Sequence, residues 1–96
     1  MADSTATILP KIKLSLRIVN EVFDEEITNL IEAAIVDLGI AGVPNADLTK
    51  PIILQAVTTY VKLNFGSPEE YERLKRSYDE QKAQLGMSSA YNGTEA

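Results

Sequence analysis

The segment PIILQAVTTYVKLNFG, residues 51–66, limits the fold more than any other part of the sequence. Read as a helix, it carries apolar side chains on most of its circumference: Ile52, Ile53, Leu54, Ala56, Val57, Tyr60, Val61, Leu63 and Phe65. A helix that is apolar on nearly all sides lies at the centre of a domain, where neighbours cover it. Thr49 or Asp47 is predicted to open it, with Pro51 in its first turn. Gly66 is predicted to end it.

The segment FDEEITNLIEAAIVDLG, residues 23–39, predicts an amphipathic helix. Its apolar residues follow the spacing of one continuous helical face: Ile27, Leu30, Ile31, Ala34, Ile35 and Leu38. Asp24 is predicted to cap the helix, and Glu25 and Glu26 occupy the first turn, where the helix dipole favours negative charge. Gly39 is predicted to stop it. From these two helices we expect a core of Leu30, Ile31, Ala34, Ile35, Leu38, Ile53, Val57, Tyr60 and Val61.

A third helix is predicted over residues 68–85. Ser67 and Glu70 fit a capping box, in which each side chain bonds to the backbone amide of the other residue. Pro68 fits the first helical position, and Gly86 is predicted to close the helix.

This last helix has only a thin apolar seam, which consists of Tyr71, Leu74, Tyr78 and Leu85. The spacing is heptad-like and predicts a narrow contact line. Its charges are predicted to pair along the helix: Glu69 with Arg73, Glu72 with Arg76, and Asp79 with Lys82. The helix is therefore either an ordinary peripheral helix or an arm available to a partner.

The segment ILPKIKLSLRIV is ambiguous, because its apolar residues fit both an alternating strand and a helix. No second strand-like segment could pair with it, so we predict a short helix near residues 9–17. The chain is then an all-α protein, a small bundle of about four helices with a long C-terminal helix and flexible ends. The predicted division is a flexible N-terminus (1–7), a helical domain (8–86) and a flexible tail (87–96).

Two kinds of residue are candidates for partner contacts. Ile40 and Val43 are apolar residues in the loop before the central helix, where they either cap the core or contact a neighbouring subunit. Met87 and Tyr91 are the only large apolar residues of the tail, which can become ordered on a neighbour. The full predicted interface is Ile40, Val43, Tyr71, Tyr78, Leu85, Met87 and Tyr91.

Composition excludes several classes of function. The chain has no cysteine and no histidine, which removes thiolate nucleophiles, Cys/His zinc sites and the commonest general base. We predict that it is not an enzyme and has no catalytic, cofactor-binding or metal-binding residues. Its net charge of −5 disfavours nucleic-acid binding. No secretory signal and no apolar run of membrane-spanning length is present, which predicts a soluble cytoplasmic protein.

Four stretches, in this order and spacing, resemble the small helical head–tail connector proteins of tailed phages and prophages, also described as DNA-packaging or head-completion adaptors. The stretches are KLSLRI, DEEITNLIEAAIVDLGIAGV, PIILQAVTTYVKLNFG and YERLKRSYDEQKAQLGMSSAY. They cover about residues 11–91. The most distinctive segments within them are YVKLNFG and YDEQKAQL.

The resemblance implies a structural protein of the virion, located at the head–tail interface and in the host cytoplasm during assembly. It implies a ring beneath the portal protein, a dodecamer, that extends the DNA channel and receives a tail-side stopper or tail-completion protein. A negative wall fits a channel that passes DNA without holding it.

The competing hypothesis is an acidic regulatory protein, such as a DNA-mimic inhibitor of a nucleic-acid-binding enzyme. Such a protein concentrates its acids on one exposed face. In the last helix the acids are interleaved with lysine and arginine, which favours the connector.

Overall fold

Four α-helices form the chain in a computed structural model that describes residues 5–43, 47–66 and 69–87. They are α1 (Thr5–Leu16), α2 (Asp24–Ile40), α3 (Pro51–Asn64) and α4 (Tyr71–Met87). No strand occurs in these described ranges. The predicted all-α class and the number of helices are confirmed, and the ambiguous first segment is a helix that begins earlier than predicted.

Helix α3 lies at the centre, as its apolar circumference predicts. It packs against each of the other three helices, and α1 also packs against α2. Buried residues from all four helices and from the segments on either side of the 44–46 gap form one hydrophobic core: Ile8, Ile12, Ile27, Ile31, Ala34, Leu38, Val43, Leu48, Ile53, Ala56, Val57, Val61, Leu63, Tyr78 and Leu85.

The predicted core is largely confirmed. Six of its nine residues are buried, and Leu30, Ile35 and Tyr60 are partly buried and pack against the others. The prediction lacked Ile8 and Ile12, which lie one turn apart on α1 and face the core.

Helix α2 does not start as predicted. Phe23 occupies the N-cap position and provides no side-chain hydrogen bond, while Asp24 is already the first helical residue. The carboxylate of Asp24 instead forms an ion pair with Lys13 of α1 at 2.6 Å. A contact between helices therefore replaces the predicted local cap.

Gly39 does not stop α2, because the helix continues to Ile40. The turn is made by Gly42, whose φ of +100° is in the left-handed region. Its amide donates to the Gly39 carbonyl at 3.1 Å, and the amide of Val43 donates to the Leu38 carbonyl at 2.8 Å. This pair of bonds is a Schellman motif, and its first and last residues, Leu38 and Val43, are both buried in the core.

Helix α3 begins with Pro51, as predicted, but Lys50 is its N-cap residue and no side chain caps it. The Asp47 carboxylate instead accepts hydrogen bonds from the amide and the hydroxyl of Thr49, at 3.0 and 2.6 Å. The two predicted caps bond to each other ahead of the helix. Gly66 follows the helix with a φ of +69°, in agreement with its predicted role.

Helix α4 begins at Tyr71, three residues later than predicted. Ser67 and Pro68 of the predicted capping box lie outside the described residues. The side chain of Glu70 forms an ion pair with Arg73. Gly86 does not close the helix, which continues to Met87.

The charges of α4 pair differently from the prediction. Arg73 pairs with Glu70 rather than Glu69, and Lys82 pairs with Asp37 of α2 at 3.2 Å rather than with Asp79. Asp79 pairs with Lys75 at 3.0 Å. In the part of the chain that the structure describes, Glu72 and Arg76 form no ion pair, so the predicted ladder is replaced by two local pairs and one link to α2.

Candidate interaction surface

The inner side of α4 is fixed to the rest of the bundle by Tyr78 and Leu85, which are 3% and 1% exposed. Leu74 adds a partly buried contact. Two of the predicted partner residues, Tyr78 and Leu85, therefore belong to the chain's own core. Val43, a third, is 1% exposed because the Schellman turn folds it under the end of α2.

A polar cluster holds α4 against α2. The Tyr78 hydroxyl donates to Oδ2 of Asp37 at 2.5 Å, and Lys82 Nζ donates to the same oxygen at 3.2 Å. Lys82 Nζ also lies 5.1 Å from the centre of the Tyr78 ring, in cation–π range. The rings of Tyr60 and Tyr78 meet edge to face, with centroids 5.3 Å apart.

The cluster shifts the pKa of two of its members, Asp37 and Tyr78. Burial tends to raise the pKa of Asp37, but hydrogen bonds from Tyr78 and Lys82 and the charges of Lys82 and Lys75 lower it below its ordinary value. Burial and then the hydrogen bond to Asp37 raise the pKa of Tyr78 far above its ordinary value. Tyr78 is therefore a permanent donor and Asp37 a permanent acceptor near neutral pH.

One end of the bundle presents two exposed apolar side chains. Ile40 at the end of α2 is 81% exposed, and Met87 at the end of α4 is 82% exposed. The two helix ends are adjacent, because a Cβ on Gly86 would lie 2.6 Å from the carbonyl oxygen of Ala41. Ile40 and Met87, which the sequence predicted separately, are therefore the chain neighbours of the two residues in this close approach, and we call the pair the end patch.

Tyr71, another predicted contact residue, does not belong to the end patch. Tyr71 is 45% exposed and lies at the start of α4, at the opposite end of this helix from Met87. It lines an open groove of about 580 Å³ along the outer face of the helix, together with Glu72, Lys75, Arg76, Asp79, Glu80 and Ala83. Tyr91 lies outside the described residues.

The sequence analysis missed exposed apolar residues in the first half of the chain: Leu14, Val19, Val22 and Val36, between 63% and 96% exposed. The helical spacing of α1 could have identified Leu14 as an exposed residue. It follows the buried Ile12 by two residues, about 200° around α1, and therefore faces away from the core. In the connection after α1, Val19 and Val22 belong to no helix and have no such pattern.

The described residues contain no candidate metal site. No group of three or more acidic, histidine or cysteine residues in the ranges 5–43, 47–66 and 69–87 is arranged to hold a metal ion. None of the helices in these ranges is both long enough and apolar enough to cross a bilayer. The surface can contribute apolar contacts and paired charges, which are the means of protein–protein association.

The chain matches the model of a known protein family, although no curated protein and no solved structure matches it. The phage connector protein family has a model that matches residues 8–92, which covers all four helices but for the first turn of α1, and the chain belongs to this family.

Proposed function

We propose that this chain assembles into a ring beneath the portal of a tailed phage, a dodecamer that extends the DNA channel. The ring receives a tail-side stopper or tail-completion protein. The observation that carries the proposal is the family match over residues 8–92, since connector proteins are structural components of the virion. In the host cytoplasm the chain joins the portal during assembly.

The end patch and the segment after it are the proposed contact with the portal. Ile40 and Met87 are each more than four-fifths exposed, and each adjoins a residue of the close approach between Ala41 and Gly86. Tyr91 is four residues beyond Met87 in the sequence and is the other large apolar residue of the tail. Aromatic residues and methionine are enriched at the buried centres of protein interfaces.

The proposed ring passes DNA without binding it. The chain has nine basic against fourteen acidic residues, and electrostatic affinity for DNA depends on basic residues that neutralise phosphates. We expect no measurable binding of the isolated protein to duplex DNA near physiological salt. A micromolar dissociation constant in a mobility-shift assay contradicts a passive channel.

Co-sedimentation with the portal from the same genome tests the proposed contact. The intact chain should sediment with the portal, and truncation after Gly86 should weaken or abolish this while leaving the thermal transition nearly unchanged. Ile40→Ser should weaken binding in part. Val19→Ser is the control, since Val19 is 96% exposed and precedes the start of α2, whereas Ile40 lies at the end of that helix. If the truncated chain binds as fully as the intact one, the portal contact lies elsewhere.

A further inference from the structure

We propose that neighbouring copies of this chain associate head to tail, with Leu14 of one copy seated in a cleft beside α2 of the next. Lys11 and Arg17 then pair with Glu25 and Glu32 of that neighbour. This inference rests on the proposed ring, for which it names the contact between subunits.

The first half of the contact is the basic face, which we define as Lys11, Leu14 and Arg17. All three side chains are exposed, and Leu14 is 78% exposed. Lys13, the other base of this region, is already paired with Asp24. Within the described residues Lys11 and Arg17 form no ion pair, so their charges are available to a partner.

The second half is the acidic cleft, an open depression of about 590 Å³ lined by Val22, Glu25, Glu26, Asn29, Leu30 and Ala33. The half-buried Leu30 and Ala33 form its apolar floor, and the exposed Glu25 and Glu26 give it an acidic rim. Helix α2 contains five acidic and no basic residues. Glu25 and Glu32 are exposed on the same side of the helix, two turns apart, and neither forms an ion pair within the described residues.

The two surfaces agree in charge and in spacing. Lys11 and Arg17, which directly follows the last residue of α1, are separated by six residues, roughly 9 Å along the helix axis, and Glu25 and Glu32 by seven residues, roughly 10.5 Å. Two ion pairs can therefore form together, with Leu14 between them above the apolar floor. Complementary charge of this kind sets register and partner choice at interfaces.

The backbone of Arg17 supports a role for its side chain. Arg17 has a φ of +62°, the one left-handed residue other than glycine in the described ranges. It ends α1 with the same pair of bonds that Gly42 makes after α2: its amide donates to Leu14, and the amide of Ile18 donates to Lys13. Glycine adopts this conformation without steric cost. An arginine there keeps an exposed guanidinium at the end of the basic face.

The basic face and the acidic cleft share no residue, so each copy presents two different surfaces. When two copies associate through different surfaces, the basic face of one copy and the acidic cleft of the other remain uncovered. The contact continues from copy to copy until a ring closes. Such a contact is therefore suited to a ring rather than to a twofold dimer.

Charge reversal tests the pairing on the portal of the same genome, with rings scored by electron microscopy. The base-reversed variant is Lys11→Glu with Arg17→Glu, and the acid-reversed variant is Glu25→Lys with Glu32→Lys. We expect each alone to form at least about tenfold fewer rings, since like charges then oppose each other across every contact. An equal mixture of the two should restore rings, because complementary faces alternate around them. Lys50→Glu with Lys62→Glu makes the same change in net charge as the base-reversed variant and should have no effect.

Cysteine cross-linking tests the position of Leu14, and the chain has no native cysteine to interfere. Leu14→Cys combined with Ala33→Cys should give covalent multimers larger than a dimer under oxidation, while each single variant should not. A bond within one chain leaves the mass of a monomer.

The outcomes separate this inference from the proposed function. If the unmodified chain forms no ring on the portal, the proposed function fails. If it does form rings, but the reversed variants form them equally well or the cysteine pair gives only monomers or dimers, the head-to-tail contact is overturned and the ring stands.

Discussion

The hydroxyl of Tyr78 donates a 2.5 Å hydrogen bond to the carboxylate of Asp37, forty-one residues earlier in the chain. This bond and the neighbouring Lys82 link give α4 a polar attachment to α2 in addition to its packing on α3. A helix with a thin apolar seam is thus held in one position along its length. The end patch depends on this position, because it requires α2 and α4 to end side by side.

Tyr78→Phe should lower the free energy of unfolding by about 1–2 kcal/mol, because a partly buried carboxylate loses its short hydrogen bond. Chemical denaturation measures the change. Tyr71→Phe is the matched control, since Tyr71 is 45% exposed and its hydroxyl bonds to no described residue. Equal effects of the two substitutions contradict a structural role for the bond.

The stability contributed by Asp37 should disappear in acid. Its pKa in the folded protein lies below the ordinary value of 3.8. A lowered pKa stabilises the fold above the unfolded-state value, and this stability is lost as the pH falls through the folded-state value. The difference in unfolding free energy between the natural chain and Asp37→Asn should therefore shrink as the pH is lowered from about 7 to about 2.

Asp47 also has a lowered pKa, caused by its hydrogen bonds with Thr49, but it is present in both proteins and its effect cancels in the difference. A difference that stays constant over the whole pH range contradicts the assignment for Asp37.

The helices were predictable because their signals are local. The spacing from Ile27 to Leu38 and the apolar circumference of α3 depend on neighbouring residues, and both helices occur where these patterns place them. The exact ends of the helices were less predictable, because several neighbouring residues can end a helix and the packing of the fold decides among them. Gly39 directly follows the apolar face of α2 and therefore predicts its end, but the left-handed turn is made at Gly42, three residues later.

The candidate surface was predictable only in part. Ile40 and Met87 are exposed as a partner contact requires, but Tyr78 and Leu85 are buried by residues distant in sequence. The Tyr78–Asp37 bond and the Lys13–Asp24 pair join different helices, and no periodicity within one helix reveals such partners. Gly86 likewise lies inside α4, where it allows the close approach of the Ala41 carbonyl, although its position in the sequence predicts a helix end.

Gly86→Ala should destabilise the protein by about 1–3 kcal/mol, because the new methyl group meets the Ala41 carbonyl at 2.6 Å. Gly39→Ala is the control inside α2, where no atom lies within 4 Å of a new Cβ. It should stabilise the protein by about 0.5–1 kcal/mol through better helix propensity. Thermal denaturation measures both, and the close approach of α2 and α4 is contradicted if Gly86→Ala is neutral.

Arg17→Gly should raise the free energy of unfolding by up to about 1 kcal/mol. It removes the cost of a left-handed side-chain residue, of about 1–2 kcal/mol, and adds part of the entropy cost of glycine. Denaturation measures the stability, and ring formation on the portal measures the accompanying loss of assembly. A variant that is both more stable and equally competent in assembly contradicts the role of the basic face.

Negative-stain electron microscopy of the intact chain mixed with the portal from the same genome tests the central claim most directly. The connector function predicts particles with an additional ring on the tail-facing side of the portal, coaxial with its channel. Portal particles that stay unchanged at saturating concentrations of the chain contradict it.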